Sequence, residues 1–149
     1  MSINIRQANI DDLEHIVPLF DAYRQFYGQP SDVDLARAFL AERFKYQQAI
    51  LFLATEPGGL DVGFTQLFPS FSSVGANRIY ILNDLFVIPA ARGKGVATLL
   101  LKRAAEFGRS VGAIRLSLST ALDNQPAQKL YESLGWKRDQ VFCHYDLSL

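Results

Sequence analysis

Apolar positions along this chain recur with two periods, and each switch of period marks the edge of an element. Ile3 and Ile5 alternate with Asn4 and Arg6, which predicts a short first strand. Asn9 or Asp11 then caps a helix in which Leu13, Ile16, Val17, Phe20, Tyr23, Arg24 and Tyr27 fall at helical spacing, the apolar members forming a core stripe. Pro18 inside that stripe predicts a kink or a division of the helix, and Gly28-Gln29-Pro30 ends it. Ser31 or Asp32 caps a second helix with Leu35, Phe39, Leu40 and Phe44 on its inner face. Residues 49–54 are continuously apolar, as in a buried strand. Glu56-Pro57-Gly58-Gly59 signals a turn, so residues 62–68 read as the returning strand of a hairpin. Residues 69–75 read as a polar loop with aromatic content, and 78–88 as a central strand stopped by Pro89. From Val96, the positions Leu99, Leu100, Ala104 and Phe107 line one face of a helix that ends near Gly108 or Gly112. A strand over 114–118, a helix from Asn124 through Leu134 stopped by Gly135, and a last strand over 141–147 complete the pattern. Two helices, an antiparallel meander and then strand–helix–strand–helix–strand place the chain in the α/β class, as a mixed α+β sheet in one domain over 1–149.

The junction between the central strand and the helix after it carries the first chemical signal. Backbone N–H groups at a helix start have no intrahelical partner, and the helix dipole adds partial positive charge there. Gly93 and Gly95 leave no Cβ between those groups and an anion, while Arg92 and Lys94 bring cations to the same loop. A phosphate-bearing ligand at 92–98 follows, although a bare Gly-x-Gly also serves plain turns. Nucleotide motifs fit less well. Thr98 stands where a dinucleotide fold wants its third glycine, the strand at 114–118 carries no acid, and Gly95 follows Gly93-Lys94 where a P-loop wants Ser or Thr.

Composition narrows the partners. Fifteen Lys and Arg balance fifteen Asp and Glu, so no net positive field advertises nucleic acid. Half the residues are hydrophobic, enough for a packed core. The lone cysteine, Cys143, excludes an intrachain disulfide and fits a reducing compartment. The N-terminal residues do not read as a signal peptide, and no apolar run is long enough for a membrane span, so the expectation is a soluble cytoplasmic protein.

A longer pattern extends the loop. Arg92-x-x-Gly95-x-Ala97, entered from Asp84-Leu85-Phe86-Val87-x-Pro89, resembles the acetyl-CoA signature of the GNAT N-acetyltransferase superfamily. Forty residues after Asp84 comes Asn124-x-x-Ala127-x-x-Leu130-Tyr131-x-x-Leu134-Gly135-Trp136, which looks like the second signature of that family. The resemblance covers nearly the whole chain and implies a central mixed, mostly antiparallel sheet flanked by helices and splayed at the cofactor site. It implies acetyl-CoA as co-substrate, with no metal. The pantetheine arm is expected along Leu85, Phe86 and Val87, the Val87 N–H as oxyanion donor, and the pyrophosphate at Arg92, Gly93, Lys94, Gly95, Val96, Ala97 and Thr98. Tyr131 is the expected general acid toward the sulfur, and both Tyr131 and Ala127 are expected to contact the cofactor. Read without the pattern, Tyr131 is a core aromatic, and Asn124 is equally a helix cap or a cofactor contact.

The base stays open at this level. Relatives that act on polyamines carry a glutamate where this chain has Asn83, which cannot take a proton but can touch a water relay. Asp84 is adjacent, yet strand alternation points it to the opposite face unless a bulge re-aims it. His144 and His15 are further titratable groups with no support beyond residue type. Tyr23, Arg24, Tyr27 and the 70–73 loop are acceptor-side candidates. Tyr23 and Tyr27, one turn apart, can form an aromatic wall beside an ammonium or an exposed pair at a dimer contact, and Arg24 disfavours a polycationic acceptor. The reading is acetyl transfer to the amine of a small molecule by direct attack in a ternary complex. Acetylation of a peptide or protein amine, and a silent acyl-CoA sensor, are the alternatives. A homodimer is expected by family habit and from Phe68, Phe71, Phe142 and Tyr145.

Overall fold

The computed structural model describes residues 2–149. The chain forms two compact units, Met1–Ser119 and Thr120–Leu149, described separately. In the first, β1 (Asn4–Gln7), β2 (Ile50–Thr55), β3 (Asp61–Ser72), β4 (Asn77–Val87) and β5 (Leu116–Ser117) form one open sheet in chain order. Neighbours pair antiparallel except β4 and β5, which are parallel. Helices α1 (Leu13–Phe26), α2 (Val33–Lys45) and α3 (Val96–Ser110) flank it. The mixed, mostly antiparallel sheet matches the class expected from the pattern.

Alternation along the strands separates two cores. Leu51, Leu53 and Phe64 pack with Ile16, Val17, Phe20 and Leu40 of α1 and α2. Phe52, between Leu51 and Leu53, meets Phe107 of α3 on the other face (ring centroids 5.8 Å apart). Asn9 caps the 3-10 turn Ile10–Asp12 that leads into α1, with the reciprocal bond from its own N–H to Asp12. Pro18 does not divide α1, which runs unbroken from Leu13 to Phe26. Its missing N–H falls early in the helix, and burial of Ile16, Val17, Leu19 and Phe20 around it holds the turn together. Gly28 at φ 86° closes α1 with bonds from the Gly28 N–H to the Gln25 carbonyl and from the Gln29 N–H to the Arg24 carbonyl. Asp32 caps α2 through the Leu35 N–H at 3.0 Å. Leu35 itself is exposed rather than inward-facing.

Three predicted boundaries moved. Residues 69–72, read as loop, continue β3 opposite Asn77–Tyr80, because an antiparallel ladder tolerates Pro69 where its missing N–H is not needed. The strand at 114–118 shrinks to Leu116–Ser117. Residues 141–147, read as a strand from their alternation, carry no strand pairing among the described residues. In the second unit, α4 (Gln125–Ser133) is capped by Asn124, whose Oδ1 accepts from the Ala127 N–H at 3.3 Å. Gly135 at φ 93° ends it, with the Trp136 N–H bonded to the Tyr131 carbonyl.

Candidate functional site

The end of β4 builds the site. Gln66 pairs with Asp84 and Leu67 with Leu82, so Asn83 is an extra residue with no partner in β3. This bulge reverses the alternation of the strand. Tyr80 meets Phe107 of α3 at 5.2 Å, yet Phe86, an even number of residues later, packs with Phe64 and Tyr23 on the opposite face. Asp84, two residues before Phe86, is thereby carried to the α1 face. It is buried, and it accepts from Gln66 Nε2 at 2.6 Å and from Asn83 Nδ2 at 3.1 Å. No Lys, Arg or His forms an ion pair with it among the described residues. Gln66 is fully buried too, and with its amide nitrogen on Asp84 its Oε1 has no hydrogen-bond partner. Thr65 Oγ1 donates to the Asp84 carbonyl at 2.8 Å and holds the bulge closed.

An aromatic cluster continues from this carboxylate. Tyr23 touches Phe64, Phe86 and Tyr27, and Phe26 touches Tyr27 and Phe86, with ring centroids between 5.0 and 6.5 Å. Phe64 and Phe86 are buried and Tyr23 is partly buried, but Phe26 and Tyr27 are 62% and 64% exposed, so the cluster opens to solvent at the end of α1. Arg24, on the same helix, lies toward Asp21 instead and favours its charged form. The Asp21 carboxylate takes Ser31 Oγ at 2.7 Å, the Asp32 N–H at 2.8 Å and Gln25 Nε2 at 3.0 Å. These bonds, that of Ser31 foremost, hold its carboxyl below the usual carboxylate range and tie α1 to the start of α2. Ser70 falls four residues beyond Gln66 along β3, roughly 13 Å away, with its neighbours in the hairpin rather than in a loop.

On the other side of β4 lies an open edge. β5 pairs only with Tyr80 and Ile81, so among the described residues 82–87 have no strand beside them there. The Ile88 N–H bonds the Val62 carbonyl, which makes 88/62 a hydrogen-bonded pair. By alternation Phe86 also bonds into β3, whereas Leu85 and Val87 direct their main-chain groups to the open edge. Gly63 opposite Val87 permits the close approach of β3: a Cβ there would lie 2.8 Å from the Phe86 carbonyl oxygen.

Beyond Pro89–Ala91 the chain turns through Gly93 (φ 77°) and Gly95 (φ 80°) into α3, whose first turn has no side-chain cap. A Cβ on either glycine would meet no atom within 4 Å, so open space faces the uncapped N–H groups. Residues 93–98 therefore fit a pyrophosphate through main-chain donors. The cations do not turn to that space. Arg92 Nε donates to the Val87 carbonyl at 3.0 Å, and Lys94 Nζ lies 4.0 Å from Glu56 Oε1 in the β2–β3 turn.

The histidines lie elsewhere. His15 Nδ1 is 2.7 Å from Asp61 at the start of β3, roughly 16 Å along the strand from Gln66. His144 Nε2 is 3.0 Å from exposed Asp146 in the second unit. In that unit Tyr131 is partly exposed on α4 with Trp136 at 6.2 Å, and Asn124 is a helix cap. Gln66 and Phe26 were not singled out from the sequence. The signal for Gln66 in the sequence is a polar pair, Thr65-Gln66, inside an apolar strand pattern.

An open mixed sheet with a bulged central strand, an unpaired edge and an uncapped helix after a glycine loop is the frame of an acyltransferase. The sequence matches the acetyltransferase (GNAT) family over residues 16–136. It is 47% identical to the "uncharacterized N-acetyltransferase YhfO" of Bacillus subtilis, over 99% of this chain and 98% of that protein. It is 26% identical to an "aminoglycoside N(6')-acetyltransferase type 1" of Salmonella enteritidis, over 96% and 97%. The crystal structure of a "probable acetyltransferase", 41% identical, superposes with a TM-score of 0.93 over 98% of this chain and 97% of that one. The chain belongs to the acetyltransferase (GNAT) family and is an N-acetyltransferase.

Proposed function

We propose that this enzyme transfers the acetyl group of acetyl-CoA to the amine of a small molecule, by direct attack in a ternary complex. The observation that carries the reading is Asp84. A carboxylate buried with two neutral amide donors and no cation is costly to hold, and an acceptor ammonium supplies the missing charge. Asp84 then takes the proton that the nitrogen must lose before it attacks the carbonyl. Asn83 holds one carboxylate oxygen and Gln66 the other, so the acceptor of the proton has a fixed orientation. Phe86, Tyr23 and Tyr27 form the wall beside the ammonium.

The open edge of β4 takes the pantetheine arm through Leu85 and Val87, and the Val87 N–H faces the developing oxyanion. Gly93, Gly95, Val96, Ala97 and Thr98 hold the pyrophosphate. Tyr131, by its place in the second family signature, gives a proton to the departing thiolate. The aminoglycoside acetyltransferase among the relatives supports a small amine over a protein one. Among the described residues no helix is long and apolar enough to cross a membrane. The lone cysteine, Cys143, supports a reducing compartment such as the cytoplasm. The test is turnover, followed as free thiol, with acetyl-CoA and neamine, thialysine, spermidine and an alanyl peptide as acceptors. Turnover confined to the peptide would overturn the small-molecule acceptor, and none with any amine would overturn the reaction.

A further inference from the structure

A cation in a phosphate-binding loop is expected to meet phosphate, and Arg92 does something else. Its Nε donates to the Val87 carbonyl, a group on the open edge of β4. Its guanidinium carbon lies 5.5 Å from the centre of the Phe26 ring and 5.8 Å from that of Phe86. Phe26 is the last residue of α1, where the helix carbonyls carry partial negative charge and favour a cation. The same side chain thus touches the cofactor strand through a carbonyl, the strand's inward ring, and the terminal ring of the helix that carries Tyr23.

We propose that Arg92 is a positioning residue of the acceptor side: it braces the exposed Phe26–Tyr27 end of the aromatic wall against β4, leaving the pyrophosphate to main-chain donors. The geometry is specific to arginine. A planar guanidinium lies along a ring while its Nε donates in the same plane, and a lysine ammonium cannot do both. Phe26 and Tyr27 need such a brace, because they stand beyond the buried part of the cluster and touch each other at 5.3 Å with one face to solvent. Because Phe86 is bonded into β3 through its main chain, the brace ties an exposed surface to a strand of the sheet. The Arg92 Nε–H is committed to the Val87 carbonyl, and the guanidinium lies within reach of both rings rather than turned wholly to the loop.

That the wall meets the acceptor rests on the proposed function, and the experiment separates the two ideas. Arg92→Gln, Arg92→Lys and Phe26→Leu are compared with wild type by acetyl-CoA calorimetry, by near-ultraviolet circular dichroism, and by KM and kcat for the best amine of the panel, neamine first. The expected result is acetyl-CoA affinity within about threefold of wild type in all three, with amine KM raised at least about fivefold in each and lysine giving no rescue. The aromatic dichroism is expected to change in both Arg92 variants. Acetyl-CoA affinity about tenfold weaker in Arg92→Gln and restored by lysine would identify a phosphate contact and overturn the brace. Unchanged aromatic dichroism in both Arg92 variants would overturn it as well. If no amine turns over, the proposed reaction fails, while acetyl-CoA affinity and the aromatic spectrum still decide the role of Arg92.

Discussion

Asp84 shows how much one inserted residue controls. Without the bulge at Asn83, its carboxylate would point toward α3; with it, the carboxylate lies beside Phe86 under two amide donors. If Asp84 takes the proton, Asp84→Asn keeps the shape and removes the acceptor. The expected kcat falls by about 10²-fold or more with acetyl-CoA affinity unchanged, and steady-state kinetics with the best amine are the check. Wild-type turnover would remove Asp84 from the chemistry. Tyr131→Phe examines the opposite proton. It deletes one hydroxyl from a partly exposed residue of α4, so the fold is spared and a kcat loss of roughly 10²-fold isolates the acid. A thiolate leaves tolerably without help, so a loss below tenfold would assign the hydroxyl to positioning instead.

Helix ends are the elements on which binding and acid stability turn. Gly95, the N-cap of α3 at φ 80°, faces open space with nothing capping the first turn. Gly95→Asp puts a carboxylate there on a backbone that side chains adopt poorly, and acetyl-CoA affinity is expected to drop at least about tenfold. Calorimetry on the folded variant decides it; an unchanged affinity would remove the pyrophosphate from this loop. The connection between α1 and α2 sets an acid limit. Asp21 is held below its unfolded value of about 3.9, so its contribution to stability is complete above that pH and is lost as pH falls through the folded value. Asp21→Asn should therefore melt below wild type at pH 6, and the gap should narrow as pH drops below about 4. A gap that stays constant down to pH 3 would show that Asp21 contributes through shape, not charge.

At the scale of the whole molecule, apolar surface is left over. Phe71 is 73% exposed at the far end of the β3–β4 hairpin, and Phe142 and Tyr145 are exposed in the second unit. Phe68, counted with them from the sequence, instead packs against the α1–α2 core. We propose that exposed rings such as these are covered in a homodimer. Sedimentation at micromolar concentration is expected to give twice the 16.7 kDa of one chain, and a mass of one chain would set the dimer aside.

Period and punctuation placed most of the elements, though not the extent of β3 or the end of the chain. The stripe Ile16–Val17–Phe20–Tyr23, the caps Asn9 and Asp32, the glycine loop at 93–95 and the Gly135 stop are local signals, written in residues near one another in the chain. The glycine loop, with its order of strand, loop and helix, already pointed to an anion. Other features depended on partners far along the chain. Which way Asp84 points depends on how β4 registers against β3, eighteen residues away. Gln66 becomes a neighbour of Asp84 only through that register, and Phe26 becomes a neighbour of Arg92 only when α1 lies over β4. Charge at 92 and 94 suggested phosphate, but a side chain bonds to whichever partner packing brings near, and here packing brings a carbonyl and two rings to one and a carboxylate to the other. The alternating run at 141–147 has the period of a strand, but period selects a face, while a strand exists only where an edge is in register to pair with it.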